Sequence, residues 1–157
     1  MFDHEKLDVY QLELKFLTWA TEFLVELADT PSPVNKRELI DQLDRASLSA
    51  LLNTAEGNGR RQGKQRAKFF DDARGSAFEC AACLDASVAK KLSNIGRINA
   101  GKELLERIVM MLSKLVERFD PDSYRVRDGG STLGGAKPIE DEDDYEDEDE
   151  IGGAGHP

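Results

Sequence analysis

The chain has 157 residues, 39% hydrophobic and 33% charged, which suffices for one core and excludes a large multidomain enzyme. No run approaches the roughly 18 consecutive apolar residues of a membrane-spanning helix, and the opening Met1 to Lys6 has neither the basic nor the apolar region of a secretory signal, so a cytoplasmic protein is expected. The net charge of -10 is local: residues 1–119 hold 18 basic and 18 acidic side chains, whereas residues 120–157 hold 3 and 13.

Segment one, Glu5 to Asp29, carries Leu7, Tyr10, Leu14, Leu17, Leu24 and Ala28 at the three-and-four spacing of a helical stripe. A second set, Val9, Leu12, Phe16, Trp19, Phe23 and Leu27, falls on an adjoining face. Together they cover on the order of 240° of the helix surface, against the ~100° that a bundle helix needs. The surplus predicts a second buried surface, and Phe16, Trp19 and Phe23 are the candidate oligomer interface. Thr30-Pro31-Ser32-Pro33 stops the helix, because proline lacks a donor N–H and pushes the preceding residue out of helical backbone.

Segment two runs from Val34 or Asn35 to Glu56. Its inward positions Leu39, Leu43, Ala46 and Ala50 become small toward the middle, with Ser47 and Ser49 beside them, so a neighbouring helix can come close. Gly57 is expected to end it in left-handed backbone. Segment three, Gln62 to Leu92, repeats the helical spacing through Phe69, Ala73, Ser76, Cys80, Cys83 and Ser87. Gly75, which costs roughly 1 kcal/mol relative to Ala inside a helix, predicts close backbone packing beside Ser76. After a turn at Asn94-Ile95-Gly96, segment four carries Ile98, Gly101, Leu105, Ile108, Leu112, Leu115 and Phe119. Four helices, short connections and no strand signal predict an all-α antiparallel up-down-up-down four-helix bundle over residues 1–119. Residues 120–157 are expected to be a disordered tail: ten of the eleven residues from Glu140 to Glu150 are acidic and glycines flank them.

Catalytic constellations are absent from this reading. Cys80 and Cys83 lie mid-helix without a second pair, and the two histidines, His4 and His156, sit near opposite ends, so zinc, thiol redox and Ser/Cys-His chemistry lack their partners. No cofactor or metal is expected. Between Arg60 and Arg74 six basic residues, Arg60, Arg61, Lys64, Arg66, Lys68 and Arg74, face two acids, Asp71 and Asp72, and such a cluster at a turn and helix start can contact phosphates. A solvated turn with ion pairs such as Lys68 with Asp72 is the competing reading. Gln42, Arg45, Ser49, Asn53 and Glu56 share one face of segment two, and Glu79 is positioned to oppose them; a polar ladder of this kind more often fixes helix register than performs chemistry.

The stretch from Gln42 to Gly57, with Asn53-Thr54-Ala55-Glu56-Gly57, followed by Phe70 to Glu79 with Gly75-Ser76-Ala77-Phe78-Glu79 and opened by Leu7-Asp8-Val9-Tyr10, resembles the signature of the four-helix bundle family first noted in intervening sequences of bacterial 23S ribosomal RNA genes. The resemblance spans residues 2–119. Gln42, Arg45, Asn53, Glu56, Gly57, Gly75, Ser76 and Glu79 match the signature, and the basic residues match only in charge. This family is similar to the accessory protein of diversity-generating retroelements, a basic homopentamer that binds nucleic acid and a reverse transcriptase. The resemblance therefore implies a pentameric, non-enzymatic accessory factor for RNA or a ribonucleoprotein such as a reverse transcriptase complex. An oligomeric protein-interaction scaffold without a nucleic-acid role is the alternative. The acidic tail is expected to reach Arg60 to Lys68 of its own or a neighbouring subunit and compete with nucleic acid for them; a solubilising tail without a target is the competing reading.

Overall fold

The structure, a computed structural model, describes residues 1–123. After a short 3-10 turn at Asp3–Lys6, four helices follow: α1 (Asp8–Asp29), α2 (Arg37–Gly59), α3 (Gly63–Ala89) and α4 (Ile95–Phe119). Each packs on its chain neighbours, and α4 closes back on α1; this is the antiparallel four-helix bundle that the periodicity predicts. The tail expected to be disordered lies, from residue 124 onward, outside the described residues.

Of the two apolar stripes on α1, the aromatic one faces inward. Phe16 and Phe23 are 2% and 1% exposed within a single chain, and Val9, Leu12 and Leu27 are buried with them. Trp19 is half-buried, with its indole stacked between the Phe16 and Phe23 rings. The expected interface of Phe16, Trp19 and Phe23 is thus corrected, since Phe16 and Phe23 are core and Trp19 packs against it, while in the first stripe Leu14 and Ala28 are exposed and Leu7 and Leu24 are half-buried against the core. Burying the larger rings removes more apolar area from water, and α4 provides the room. A Cβ at Gly101 would meet Trp19 Cη2 at 2.5 Å, so this glycine is the notch that admits the indole. Arg97 then joins the two helices, its Nε and a terminal nitrogen donating to Glu26 at 2.6 and 2.7 Å. This paired geometry holds the Glu26 carboxyl below its ordinary range.

The glycines and helix ends differ from expectation at four positions. Gly57 is buried inside α2, which continues to Gly59, and the glycine serves close packing: an added Cβ would lie 3.1 Å from Phe69 Cβ and from the Phe70 ring. Gly75 is exposed, and a Cβ there would have nothing within 4 Å, so the close approach of α2 and α3 occurs instead at Ser49 and Ser76, whose hydroxyls are 3.0 Å apart. The chain reverses after α3 at Lys91, which holds φ of 58°. Lys91 N–H donates to Val88 O and Leu92 N–H to Ser87 O, both at 2.9 Å. This is a Schellman ending with a lysine where glycine is usual, and the buried Leu92 anchors it. Gly96 belongs to α4, whose first turn is capped by the Asn94 side chain accepting from Arg97 N–H at 3.0 Å.

One polar pair lies in the core. Glu13 is 1% exposed, and its Oε1 accepts from Thr54 Oγ1 of α2 at 2.6 Å, while its Oε2 has no partner among the described residues. Burial pushes this carboxyl up to about 8, against the smaller opposing effect of the Thr54 hydrogen bond. Cys80 is also fully buried and its thiol is pushed up to about 12, chiefly by burial; Cys83 is half-buried and raised for the same first reason.

Candidate functional site

The basic residues gather where the α2–α3 turn meets the end of α4. Packing fixes this junction: a Cβ at Gly63 would be 2.9 Å from Phe119 O, and the Phe70 and Phe119 rings are 5.9 Å apart. Most of the cations are held by their own chain. Arg60 pairs with Glu56 and lies 4.8 Å above the Phe69 ring, which Lys68 also approaches, at 5.1 Å. Arg66 donates to Asn58 Oδ1 at 3.0 Å and lies 4.3 Å above the Phe119 ring. Its Nε is buried with no acceptor among the described residues, and the guanidinium covers the Phe119 ring at this end of the bundle. Arg74 pairs with Asp71 at 3.2 Å and donates to Ser113 Oγ of α4 at 3.2 Å. Lys68 reaches Asp72 at 3.8 Å. Arg61 and Lys64 are exposed and have no ion-pair partner among the described residues.

The polar ladder forms in part. Asn53 Nδ2 donates to Ser49 O at 3.0 Å and to Ser49 Oγ at 3.1 Å, and Ser49 meets Ser76. This half-buried group ties α2 to α3. Gln42, Arg45, Glu56 and Glu79 are exposed; Arg45 Nε reaches only Asp41 O, at 3.4 Å. Glu79 is exposed and makes no hydrogen bond to the ladder among the described residues.

An unanticipated feature lies on the side formed by α3 and α4. Ala77, Phe78, Ala81, Leu105, Val109 and Met110 line a groove of about 560 Å³, with Lys102 and Glu106 at its edge. Phe78 is 55% and Met110 60% exposed. Outside this groove, Leu48 and Leu52, one turn apart on α2, are exposed, as is Leu14 on α1. The outward positions of Leu48 and Leu52 could have been found in the sequence, since both fall between the inward positions of α2.

The family profile described as 23S rRNA-intervening sequence protein matches residues 5–114. The chain belongs to this family. Among curated proteins no match to the chain is found. The 23S rRNA-intervening sequence match covers all of α1, α2 and α3 and most of α4, and stops short of the tail. Among the described residues no three His, Cys, Asp or Glu side chains converge as a metal site, and no described helix is long and apolar enough to cross a membrane.

Proposed function

We propose that this member of the family is a non-enzymatic protein-interaction scaffold that assembles with copies of itself. The observation that carries this reading is the presence of two unlike apolar features on one bundle, the Phe78/Val109/Met110 groove between α3 and α4 and the exposed Leu48 and Leu52 on α2. Scattered surface hydrophobics need no explanation, but a groove with a facing ridge of matching character is the pattern of a subunit contact. Because the two surfaces differ, the contact is head-to-tail, and head-to-tail contacts close into rings when the rotation per subunit permits. Five subunits is the number that family resemblance implies.

Two charge-introducing variants test the arrangement. Leu52→Glu disables the ridge and Met110→Glu the groove, so each variant alone is expected to be monomeric by light scattering. Mixed one to one, they retain one intact ridge and one intact groove and are expected to form a dimer. A wild-type chain that stays monomeric at micromolar concentration defeats the proposal, as does a mixture that does not associate.

A second reading is favoured by the basic end. Arg61 and Lys64 are exposed with no ion-pair partner among the described residues, so the bundle can offer a few phosphate contacts per subunit, and assembly multiplies them. With about two contacts per subunit, RNA affinity should fall with log salt at a slope of roughly -1.4 per engaged subunit. Arg61→Glu with Lys64→Glu should abolish binding without changing the assembly state.

A further inference from the structure

On α2 the exposed residues Asp41, Arg45, Leu48 and Leu52 follow one another at intervals of four, three and four residues, so they form a single outward stripe along the helix. On α4, Lys102, Glu106, Val109 and Ser113 follow at the same intervals, and the first three of them line the groove against α3. Laid side by side in one direction, the two stripes match position by position. Asp41 meets Lys102, Arg45 meets Glu106, Leu48 meets Val109 between Phe78 and Met110, and Leu52 meets Ser113.

These charges are available for such a contact. Arg45 and Glu106 are exposed and have no ion-pair partner among the described residues. Asp41 lies 3.9 Å from Arg37 with both side chains more than half exposed, an arrangement that contributes little. Lys102 is held by Asp85 of α3 at 2.7 Å, and an ammonium group, with three donors, can serve a second carboxylate as well. One turn beyond Leu52 the stripes continue to Glu56 and Glu117, but Glu56 is already paired with Arg60 of its own chain.

Reversing the direction loses the match. If the charges are kept level, Asp41 faces Glu106 and Arg45 faces Lys102, like against like. If Leu48 is kept over Val109, Leu52 lies on Glu106 and Arg45 moves toward Ser113, where Arg74 is hydrogen-bonded at 3.2 Å; only Glu56, which Arg60 already holds, then comes level with Lys102. Like charges brought together at a contact are costly, and complementary ones fix its register.

We propose that α2 of one subunit lies in the α3–α4 groove of the next, parallel to α4, in the register that pairs Arg45 with Glu106 and Asp41 with Lys102. This register rests on the self-assembly proposed above and adds a direction to it. Within one up-down-up-down bundle α2 and α4 run the same way, so each subunit points the same way as its neighbour. Every α2–α3 turn, with Arg61 and Lys64, then falls on one rim of the assembly, and every α3–α4 turn on the other.

Charge reversal tests the register. Arg45→Glu alone and Glu106→Arg alone should each weaken assembly by about ten-fold or more, read as the shift in the concentration at which light scattering shows dissociation, because each leaves like charges facing across the contact. The chain carrying both changes restores an attractive pair at every contact and should assemble as the wild type does. Both residues are exposed, so all three variants should keep the wild-type circular dichroism. Single reversals that assemble like the wild type, or a double reversal that fails to recover, overturn the register and leave self-assembly standing; a monomeric wild-type chain overturns both. Direction is read on the wild-type assembly by zero-length carbodiimide crosslinking of isotopically light and heavy chains refolded together. Links between unlike chains should join Lys102 to Asp41. Lys102 joined to Glu56 instead marks reversed packing and overturns the proposal.

Discussion

Replacing Glu13 by glutamine isolates the energetic effect of the one buried carboxyl among the described residues. The folded chain holds this group at about 8, against an ordinary value of 4.5. Between those two values the unfolded chain carries Glu13 ionised and the folded chain carries it neutral, so the folded state binds the extra proton. Stability therefore falls as pH rises from about 4.5 and levels off above about 8. At about 1.4 kcal/mol per pH step, the loss reaches roughly 3 kcal/mol by pH 7 and roughly 5 kcal/mol by pH 8. Glutamine keeps an oxygen for Thr54 and cannot ionise. Its amide nitrogen takes the place of the unpartnered Oε2 and costs about 1–3 kcal/mol, but that cost is the same at every pH. The assay is urea unfolding at constant ionic strength from pH 4.5 to 8.5, followed by circular dichroism. The quantity to read is the difference between wild type and Glu13→Gln, which removes the contributions of surface groups such as Glu26. That difference should move in favour of the variant by roughly 3 kcal/mol between pH 4.5 and 7. Parallel curves would show that Glu13 is ionised in the folded protein and would refute the account of its burial.

Gly101→Ala should destabilise the bundle by about 1–3 kcal/mol in thermal unfolding, because the new methyl group displaces the Trp19 indole from its notch. Lys91→Gly is expected to raise stability by about 0.5–1 kcal/mol, since glycine adopts the left-handed backbone of the α3 ending without the strain a side chain incurs there; a loss would mean that the lysine side chain contributes to the ending. Of the two cysteines, Cys83 should be alkylated slowly in the native protein and Cys80 only after unfolding, by mass-spectrometric counting of labelled thiols. Equal native labelling would contradict the burial of Cys80.

The four helices were legible because their breakers and their periodicity agree; Thr30-Pro31-Ser32-Pro33 and the turn at Arg60 fall between runs that already repeat at helical spacing. Which stripe of α1 faces inward was not legible. Both stripes are apolar and they adjoin, so the choice was made by α4, where Gly101 leaves space for Trp19 at a position that no local rule on α1 can reveal. Glycine misled for the same reason: Gly57 reads as a helix end and Gly75 as a point of close packing, yet Gly57 lies under Phe69 and Phe70 inside α2 and Gly75 faces open space. Glu13 had a signal. It falls four residues after Val9 and three before Phe16, inside the buried stripe, and an acid there predicts either a partner or a neutral carboxyl. The basic cluster was visible as composition. Of its pairing only Lys68 with Asp72 was visible; Arg66 and Arg74 meet Asn58, Phe119 and Ser113, which the closed bundle brings to them.

The chain contains one tryptophan, and every group around the Trp19 indole described above belongs to α1 or α4: the Phe16 and Phe23 rings, the Gly101 notch, and the Arg97 guanidinium 5.0 Å above it. Its emission is therefore a private optical channel for a single seam. The α2–α3 pair, joined by Ser49, Asn53 and Ser76, contributes to ellipticity and leaves the indole's surroundings unaltered. Should α1 peel from α4 while α2 and α3 stay together, fluorescence will change ahead of circular dichroism along one denaturant series, and the order in which this bundle comes apart can be followed without attaching a label.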